Sequence, residues 1–449
     1  MTEFSLPWIS LLIFIHVSAI FVGLLGRGGR GGLLVAMSLA FLVDLLIFVD
    51  FQGHDAAVRM DPWLPFLRVD SLLSSVLPFV GLLLWVTTFI RPRKTCTRQS
   101  LTLFTLSSLA LIGLILARDA RVFAVLWLVG SLLFLVERGR QPGLSIRVPA
   151  LYLGLSAVSV LVGAWLLAAS DESHPTTRIL ALFLLVLGAS VRKGLLPFQS
   201  WVPDSFQRGP FASTLLFCTP QVEVILLVRL VLPVATPEIM SLIGGLALLT
   251  AVYAAAASSV QNDARRCFAY LFMSQTALVM AGITSSTVEG LTGALCLWLS
   301  GGMALTGMGL TLWLMEARHG RLDLSVYRGG YESKPLLATG FLLLGLASVG
   351  FPGTLGFVAQ ELLIEGEVVR FPILGFAVIV ASGLCGITVL RMFFALFCGK
   401  PAPRLKLRLQ RRQLVVVILL VAILYVFGLL PSAFVDKQSL IAGSLLAHH

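Results

Sequence analysis

The chain consists mainly of apolar runs of about 20 residues, separated by short polar loops. An α-helix rises 1.5 Å per residue, so a run of about 20 residues crosses a hydrocarbon core of about 30 Å. The strands of a membrane β-barrel would instead appear as segments of about 10 residues with alternating polarity. The pattern therefore predicts an all-α integral membrane protein that crosses the bilayer many times.

Hydropathy predicts about fourteen membrane spans. Their approximate boundaries are residues 7–26, 32–52, 70–90, 101–117, 122–137, 149–169, 177–197, 211–232, 239–258, 266–285, 290–316, 335–366, 371–398 and 413–431. The longest polar loop has about twenty residues, which is too short to enclose a core of its own. We therefore expect residues 1–449 to form a single polytopic membrane domain.

Proline and glycine interrupt two of the predicted spans. Pro197 and Pro203 lie at and just beyond the end of span seven, and Phe351-Pro-Gly-Thr-Leu355 lies inside span twelve. Proline removes a backbone donor and breaks the helical hydrogen-bond ladder. Breaks in corresponding spans of two halves are typical of inverted repeats and of a transport site near the membrane midplane. We therefore predict inverted repeats with broken helices in spans seven and twelve.

The charge distribution supports a membrane protein rather than a nucleic-acid-binding one. Hydrophobic residues make up 57% of the chain and charged residues 12%, against about 25% charged in soluble domains. The net charge of +11 comes mostly from Lys and Arg in one set of alternate loops, as expected for cytoplasmic loops. This predicts a multi-pass protein of the cell inner membrane with both termini outside. Residues 400–449 would then form a basic cytoplasmic loop, the last span and an outward-facing tail.

The cysteines give no sign of a cofactor. All six are scattered, without the CxxC or CxxH spacings of zinc and haem sites or a pattern typical of disulfide frameworks. No ligand cluster for an iron–sulfur centre is present in the sequence. We therefore expect no metal or cofactor in this chain, and a transporter subunit rather than an enzyme.

Several charged or polar residues lie within the apolar spans, where an unpaired charge costs a few kcal/mol. The candidates for a proton path are Glu223, Lys193, Arg192, Glu361, Gln360, Asp263 and Asp44. Glu223 is either a transport carboxylate or the partner that neutralises Arg192 or Arg229. Likewise, Arg192 and Lys193 either take part in transport or hold the acids in place.

The remaining candidates also have two interpretations each. Asp44 lies deep in span two and is either paired or lines a path. Glu361 follows the break in span twelve, where it either transports protons or caps an exposed helix N-terminus. Asp263 lies beside Arg265 at a span end, as a turn that stabilises the fold or as a point of ion entry.

Three motifs resemble those of the antiporter-like membrane subunits of respiratory complex I and the related Mrp cation/proton antiporters. They are Leu67-Arg-Val-Asp70-Ser-Leu, Pro197-Phe-Gln-Ser-Trp201-Val-Pro203-Asp204, and Gln261-Asn-Asp263-Ala-Arg265-Arg266 with the following Ala269-Tyr270 and Ser274-Gln275. The resemblance covers roughly residues 60–400, and the third motif is the most specific. It implies a subunit that moves protons along a chain of lysines, histidines and glutamates in the middle of the membrane.

This sequence departs from the family pattern at five positions of that proton chain. Leu128 replaces the span-five glutamate, Arg192 the span-seven lysine, Phe217 the span-eight histidine and Gln360 the span-twelve lysine, and residues 297–305 of span eleven contain no lysine. Arginine is effectively always protonated, so Arg192 can hold a charge but cannot pass a proton. Lys193 is adjacent and keeps a basic group in span seven.

The phrase FPGTLGFVAQELLIEG and the short C-terminal end resemble most the membrane subunit of DAB-type inorganic carbon pumps. That resemblance implies an energy-coupled inorganic carbon (CO2/bicarbonate) uptake complex, with a large zinc protein similar to β-carbonic anhydrase as partner. The alternatives are an Mrp-like cation/proton antiporter, a proton-pumping subunit of a respiratory complex, and a membrane anchor that does not conduct.

Overall fold

The structure is a computed structural model that describes residues 2–3, 7–52, 58–91, 96–141, 143–169, 175–332, 334–370, 372–399 and 411–447. The described chain is almost entirely helical, which confirms the all-α prediction. It divides into two compact units, Met1–Ala189 and Ser190–His449. The predicted basic loop at 400–410 lies outside the described residues.

The described residues of the first unit form six α-helices and most of a seventh, with a short 3-10 helix at Gly26–Gly29. They are α1 (Trp8–Leu24), α2 (Arg30–Gln52), α3 (Ser71–Ile90), α4 (Arg98–Leu116), α5 (Ala120–Gly139), α6 (Arg147–Ala169) and α7 (Pro175–Lys193), which ends in the second unit. Helix α1 packs against α2 and α4, α2 against α3, and α5 against both α4 and α6. Their apolar faces form the core of this unit.

Three short strands also occur in the first unit, and hydropathy did not predict them. Strand β1 (Thr2–Glu3) pairs in parallel with β2 (Val58–Met60), which pairs antiparallel with β3 (Arg68–Asp70). Directly after β3, Asp70 caps α3, because its Oδ1 accepts a hydrogen bond from the Leu73 amide at 2.9 Å. The motif that contains Asp70 therefore fixes the start of a span.

The second unit contains the remaining helices. They are α8 (Trp201–Arg208), α9 (Phe211–Cys218), α10 (Val222–Leu226) with a π-helical turn at Leu227–Val231, α11 (Pro237–Ser259), α12 (Ala264–Ile283), α13 (Val288–His319), α14 (Pro335–Ser348), α15 (Leu355–Arg370), α16 (Pro372–Phe397), α17 (Arg411–Leu429) and α18 (Ser432–Leu446). Helices α12 and α13 are buried over nearly their whole length. Helix α13 contacts α12, α14, α15, α17 and α18, so it forms the centre of this unit.

Both predicted helix breaks are present. Span seven ends with α7 at Lys193, and the chain then runs without helix to α8 at Trp201. Span twelve is interrupted between Ser348 at the end of α14 and Leu355 at the start of α15. Gly350 within that break has a φ of +74°, a backbone conformation that L side chains rarely adopt. The inverted-repeat relation between the two breaks stays a prediction.

A third break divides the span predicted at 211–232. Helix α9 ends at Cys218, and α10 starts only after Gln221, whose φ of 48° and ψ of 54° are left-handed. Pro220 precedes it and cannot supply the amide that a continuous helix needs. The span is therefore present but opens its backbone in the middle.

The predicted number of fourteen spans is not confirmed. Eleven helical segments among the described residues are long and apolar enough to cross a membrane, and α1 and α14 are shorter apolar helices. Helices α8 and α18 were not predicted as separate elements. Both are short and carry charged residues, so a search for long apolar runs misses them.

Candidate functional site

The break in span seven places two basic side chains in the protein interior. Arg192 and Lys193 form the last turn of α7, and they are only 5% and 8% exposed. The carbonyl groups at a helix C-terminus favour cations electrostatically. The motif residue Trp201 is anchored beside this turn, since its Nε1 donates a hydrogen bond to the Val191 carbonyl at 2.8 Å. The sequence motif therefore holds the buried basic pair.

Arg192 forms an ion pair with Glu223 of α10. The distance from Arg192 Nε to Glu223 Oε1 is 3.3 Å, and each side chain is 5% exposed. The guanidinium also lies over the ring of Phe217, with 4.2 Å between its Cζ and the ring centroid. A desolvated cation over an aromatic face is stabilised by about 2 kcal/mol. Phe217, which stands where the family has histidine, thus supports the arginine that stands where the family has lysine.

Lys193 has a different partner. Its Nζ donates a short hydrogen bond to Oε1 of Gln221, the left-handed residue at the break in span eight. Trp298 of α13 steadies this break, because its Nε1 donates to the Pro220 carbonyl at 3.0 Å. A non-glycine residue in this conformation costs about 1–3 kcal/mol, and such strain is commonly found at functional sites. The strained backbone brings a neutral amide oxygen to the lysine.

A cavity of about 10 Å³ lies within this cluster. Its lining residues are Arg192, Lys193, Trp201, Val202, Phe217, Cys218, Glu223, Phe272 and Thr276. A volume of about 10–15 Å³ holds one water molecule when polar groups surround it. Oε2 of Glu223 accepts no hydrogen bond from the described residues. The cavity therefore offers room for one water between a carboxylate oxygen and a lysine.

The charges of this cluster do not cancel when Lys193 is protonated. One carboxylate then faces two cations, because Glu223 pairs with Arg192 and also interacts electrostatically with Lys193, whose hydrogen-bond partner is an uncharged amide. An excess charge in a buried cluster is unfavourable. Release of a proton from Lys193 would remove the excess charge without breaking the ion pair. The arrangement is suited to reversible proton binding.

Two neutral side chains, Gln275 and Gln360, lie beside the break in span twelve. Gln360 of α15 is 6% exposed, and its Nε2 donates to Oε1 of Gln275 on α12 at 3.2 Å. Its side chain folds onto the break, since a Cβ added to Gly350 would lie 2.3 Å from Gln360 Oε1. Glu361 lies on the exposed face of α15 and outside the first helical turn, so it does not cap this helix. Its role in transport stays a prediction.

Asp263 caps a helix in the second unit. Its Oδ1 accepts a hydrogen bond from the Arg266 amide at 2.9 Å at the start of α12. The adjacent Arg265 forms an ion pair with Glu316 of α13, with 2.6 Å between Nε and Oε2. These contacts support the interpretation of the third motif as a stabilising turn. A role for Asp263 in ion entry stays a prediction.

Asp44 belongs to the first unit. It is fully buried in α2, and neither carboxyl oxygen has a hydrogen-bond partner among the described residues. The described residues contain no group of three or more His, Cys, Asp or Glu side chains that could hold a metal ion. The candidate residues thus fall into a charged cluster, a neutral cluster, a helix cap, a single buried acid and an exposed acid, Glu361.

Sequence reasoning missed three residues of these sites, namely Gln221, Gln275 as a partner of Gln360, and Glu316. Pro220 marked the place of Gln221, but the hydrogen bond at this turn comes from Trp298, which is 78 residues from Pro220 in the chain. Gln275 was visible at the end of the third motif. Nothing local to Glu316 indicated that it pairs with Arg265, which is 51 residues away in the chain.

Comparison with known proteins identifies the family and several relatives of this chain. Residues 150–386 match the family described as NADH:quinone oxidoreductase/Mrp antiporter, TM. NADH-quinone oxidoreductase subunit 13 of Thermus thermophilus is 28% identical over 408 residues, which cover 83% of each chain.

Two solved structures have a similar fold. A chain of respiratory complex I from Thermus thermophilus superposes with a TM-score of 0.87 at 23% identity, covering 98% of this chain and 99% of that one. A chain of the Mrp complex from Dietzia sp. gives 0.86 at 15% identity, covering 98% of both. At such identities the likeness shows the fold alone. The family match, in contrast, extends over more than half of the sequence. The chain therefore belongs to the NADH:quinone oxidoreductase/Mrp antiporter family of multi-pass membrane subunits.

Proposed function

We propose that this chain is a proton-translocating membrane subunit in which Lys193 binds and releases the transported proton. The observation that carries the proposal is the division of partners within the charged cluster. Glu223 pairs with Arg192, whereas Lys193 donates its hydrogen bond to the neutral amide of Gln221. Lysine changes its protonation state readily when it is buried, but arginine does not.

The ion pair has a separate task in this mechanism. Arg192 keeps its charge throughout, and Glu223 balances it. Oε2 of Glu223, which has no hydrogen-bond partner among the described residues, and a water in the adjoining cavity supply a route by which a proton reaches or leaves Lys193. Arg192 and Glu223 thereby set the local charge, while Lys193 alternates between charged and neutral forms.

Proton movement through this subunit would drive work by a partner protein. We infer a subunit of the cell inner membrane that couples the proton gradient to inorganic carbon uptake, with a large zinc protein similar to β-carbonic anhydrase as partner. Support comes from the resemblance of residues 351–366 to that branch and from Leu128 and Gln360, which replace ionisable residues of the respiratory type. The neutral Gln275–Gln360 contact fits a chain with one charged cluster rather than a long series of lysines.

The proton step is tested with the intact complex in vesicles that contain a pH-sensitive dye. Lys193→Met and Lys193→Arg both remove the releasable proton, and each should lower proton flux by about 100-fold, a usual contribution of one positioned proton-transfer group. The matched control is Arg208→Gln on α8, where the arginine side chain is 67% exposed. Wild-type flux in the two Lys193 variants would contradict the proposal.

The zinc partner and the coupling of carbon uptake to the proton gradient are tested separately. Copurification of the chain from its native membrane should bring down a large zinc protein, and bicarbonate accumulation should stop when an uncoupler removes the gradient. Accumulation that persists with the uncoupler would favour a membrane anchor that does not conduct. Sodium-dependent proton flux would instead favour an Mrp-like antiporter, the second candidate, whose fold the Dietzia Mrp chain shares.

A further inference from the structure

We propose that Asp44 is a second proton-binding site, located in the first unit and exchanging its proton during transport. Its residues are different from those of the charged cluster around Lys193. Asp44 would thus add a second proton-binding residue to Lys193, and its role in transport rests on the proposed function.

The position of Asp44 within α2 makes it a deep site. It lies eight residues before the C-terminal end of α2 at Gln52, which corresponds to about 12 Å along the helix axis. Its exposure is 0%, although Val49 on another face of the same helix is 63% exposed. Helix α2 therefore turns this carboxyl towards the interior of the first unit.

Helix α3 provides the space for the carboxyl group. A Cβ added to Gly81 would lie only 2.1 Å from Asp44 Oδ2 and 3.3 Å from the ring of Phe41. The carboxyl group thus lies against the bare backbone of Gly81, in a notch that any larger residue would fill. One turn earlier, Pro78 interrupts the hydrogen-bond ladder of α3.

Among the described residues, no ion pair compensates an ionised Asp44. Both of its oxygens lack a hydrogen-bond partner among the described residues. Asp50 on the same helix provides the contrast, because Arg59 Nη1 lies 2.6 Å from its Oδ2. An isolated carboxylate in an apolar interior is strongly unfavourable, whereas the protonated acid carries no charge. The geometry therefore fits a bound proton.

A metal cation is a poorer fit. Cations such as calcium take about 6–8 oxygen ligands. The described residues hold no group of three or more acidic, histidine or cysteine side chains that could share a metal here. The ligand class we assign to Asp44 is therefore the proton itself.

Infrared difference spectroscopy on the intact complex tests the bound proton. The wild-type spectrum minus the Asp44→Asn spectrum should contain one protonated-carboxyl C=O band that the variant has lost. This band should shift in D2O. The same subtraction for Asp50→Asn should show no loss in that region, because Asp50 is ion-paired. Loss of carboxylate bands in the Asp44 variant would overturn the proposal.

Proton flux in vesicles tests the exchange. Asparagine matches aspartate in shape, so Asp44→Asn should keep the complex assembled and lower flux at least about tenfold. Unchanged flux would overturn the transport role. If this variant does not assemble, the infrared spectrum of the wild type labelled with ¹³C-aspartate replaces it. The absence of an aspartate-derived protonated-carboxyl band in that spectrum would also overturn the proposal.

The two proposals fail in different ways. Wild-type flux in Lys193→Met would remove the proposed function but leave the infrared band of Asp44 in place. Infrared bands of an ionised carboxylate at Asp44 would overturn this inference but leave the flux loss in the Lys193 variants unchanged.

Discussion

Arg192 and Glu223 face each other across the protein interior, with 3.3 Å between Nε and Oε1 and with both side chains 5% exposed. The sequence left two basic partners open for Glu223, and the structure pairs it with Arg192 rather than Arg229. Arg192 stands where the family resemblance leads one to expect a lysine, and Phe217, which lies under its guanidinium, stands where it leads one to expect a histidine. An arginine that keeps its charge and a phenylalanine thus stand at two positions where groups that titrate are expected.

Loss of this ion pair should destabilise the protein. Glu223→Gln removes the carboxylate of this buried pair, and breaking a buried pair by removing one partner costs about 3–5 kcal/mol. A thermal unfolding scan of the purified complex should show a clearly lower Tm. Arg208→Gln is the matched control, since the exposed Arg208–Asp204 pair contributes about 0–1 kcal/mol. Equal Tm values for the two variants would contradict the structural role of the pair.

Substitution of Gln221, the left-handed residue at the break in span eight, should affect proton transport without a matching loss of stability. Gln221→Gly removes the backbone strain of about 1–3 kcal/mol but also the acceptor of the Lys193 hydrogen bond. We expect thermal stability close to that of the wild type, together with a marked loss of proton flux.

Ser286 offers the control for this variant, because it is the other non-glycine residue with positive φ among the described residues, at 57°. Ser286→Gly relieves the same kind of strain at a position that contributes nothing to the charged cluster. Its flux should therefore equal that of the wild type. A similar loss of flux in both variants would show that relief of strain, rather than the hydrogen bond to Lys193, is responsible.

Restoring the family's lysine in span twelve should be unfavourable. Gln360→Lys places a charge beside the neutral Gln275 amide and the backbone of Gly350, at a cost of about 3 kcal/mol. The unfolding temperature should fall. Glu361→Gln on the exposed face of the same helix should leave it nearly unchanged. A Gln360→Lys variant as stable as the wild type would mean that a counter-ion is within reach.

We expect Lys437 on α18 to make the free energy of unfolding rise with pH. Burial lowers the pKa of this lysine from its ordinary value near 10.5 to about 8. Between these values the unfolded chain binds more protons than the folded one, so the free energy of unfolding increases as pH rises through that window. Lys437→Met should weaken this increase and raise the Tm at neutral pH. The check is a series of unfolding scans from pH 7 to about pH 10.5, and an unaltered pH dependence would contradict it.

Local signals were enough for much of the architecture. The hydrophobic runs located the long helices, and Pro and Gly located the breaks beside Lys193 and Gly350. The same signals did not show the turn at Gln221, the short helix α8 or the strands near Asp70. These elements are short, and their conformation depends on contacts with distant parts of the chain, such as Trp298 for the turn.

The candidate site shows the same division between local and distant information. Arg192, Lys193 and Glu223 were identifiable because an intramembrane charge is costly wherever it occurs. Their partners were not, since Glu223 had two possible bases and Asp44 was either paired or not. In the structure, Glu223 forms an ion pair with Arg192, and Gln221 accepts a hydrogen bond from Lys193. Asp44 has no hydrogen-bond partner among the described residues.

The sequence by itself determined that this is an all-α membrane protein of the antiporter-like family, with breaks in two spans and charges in apolar surroundings. These properties follow from the chain locally, because the free energy of placing a helix in a bilayer accumulates residue by residue. Only the tertiary structure decided which charges compensate each other, because Arg192 and Glu223 come from separate helices whose packing brings them together. That pairing leaves Lys193 with a neutral partner.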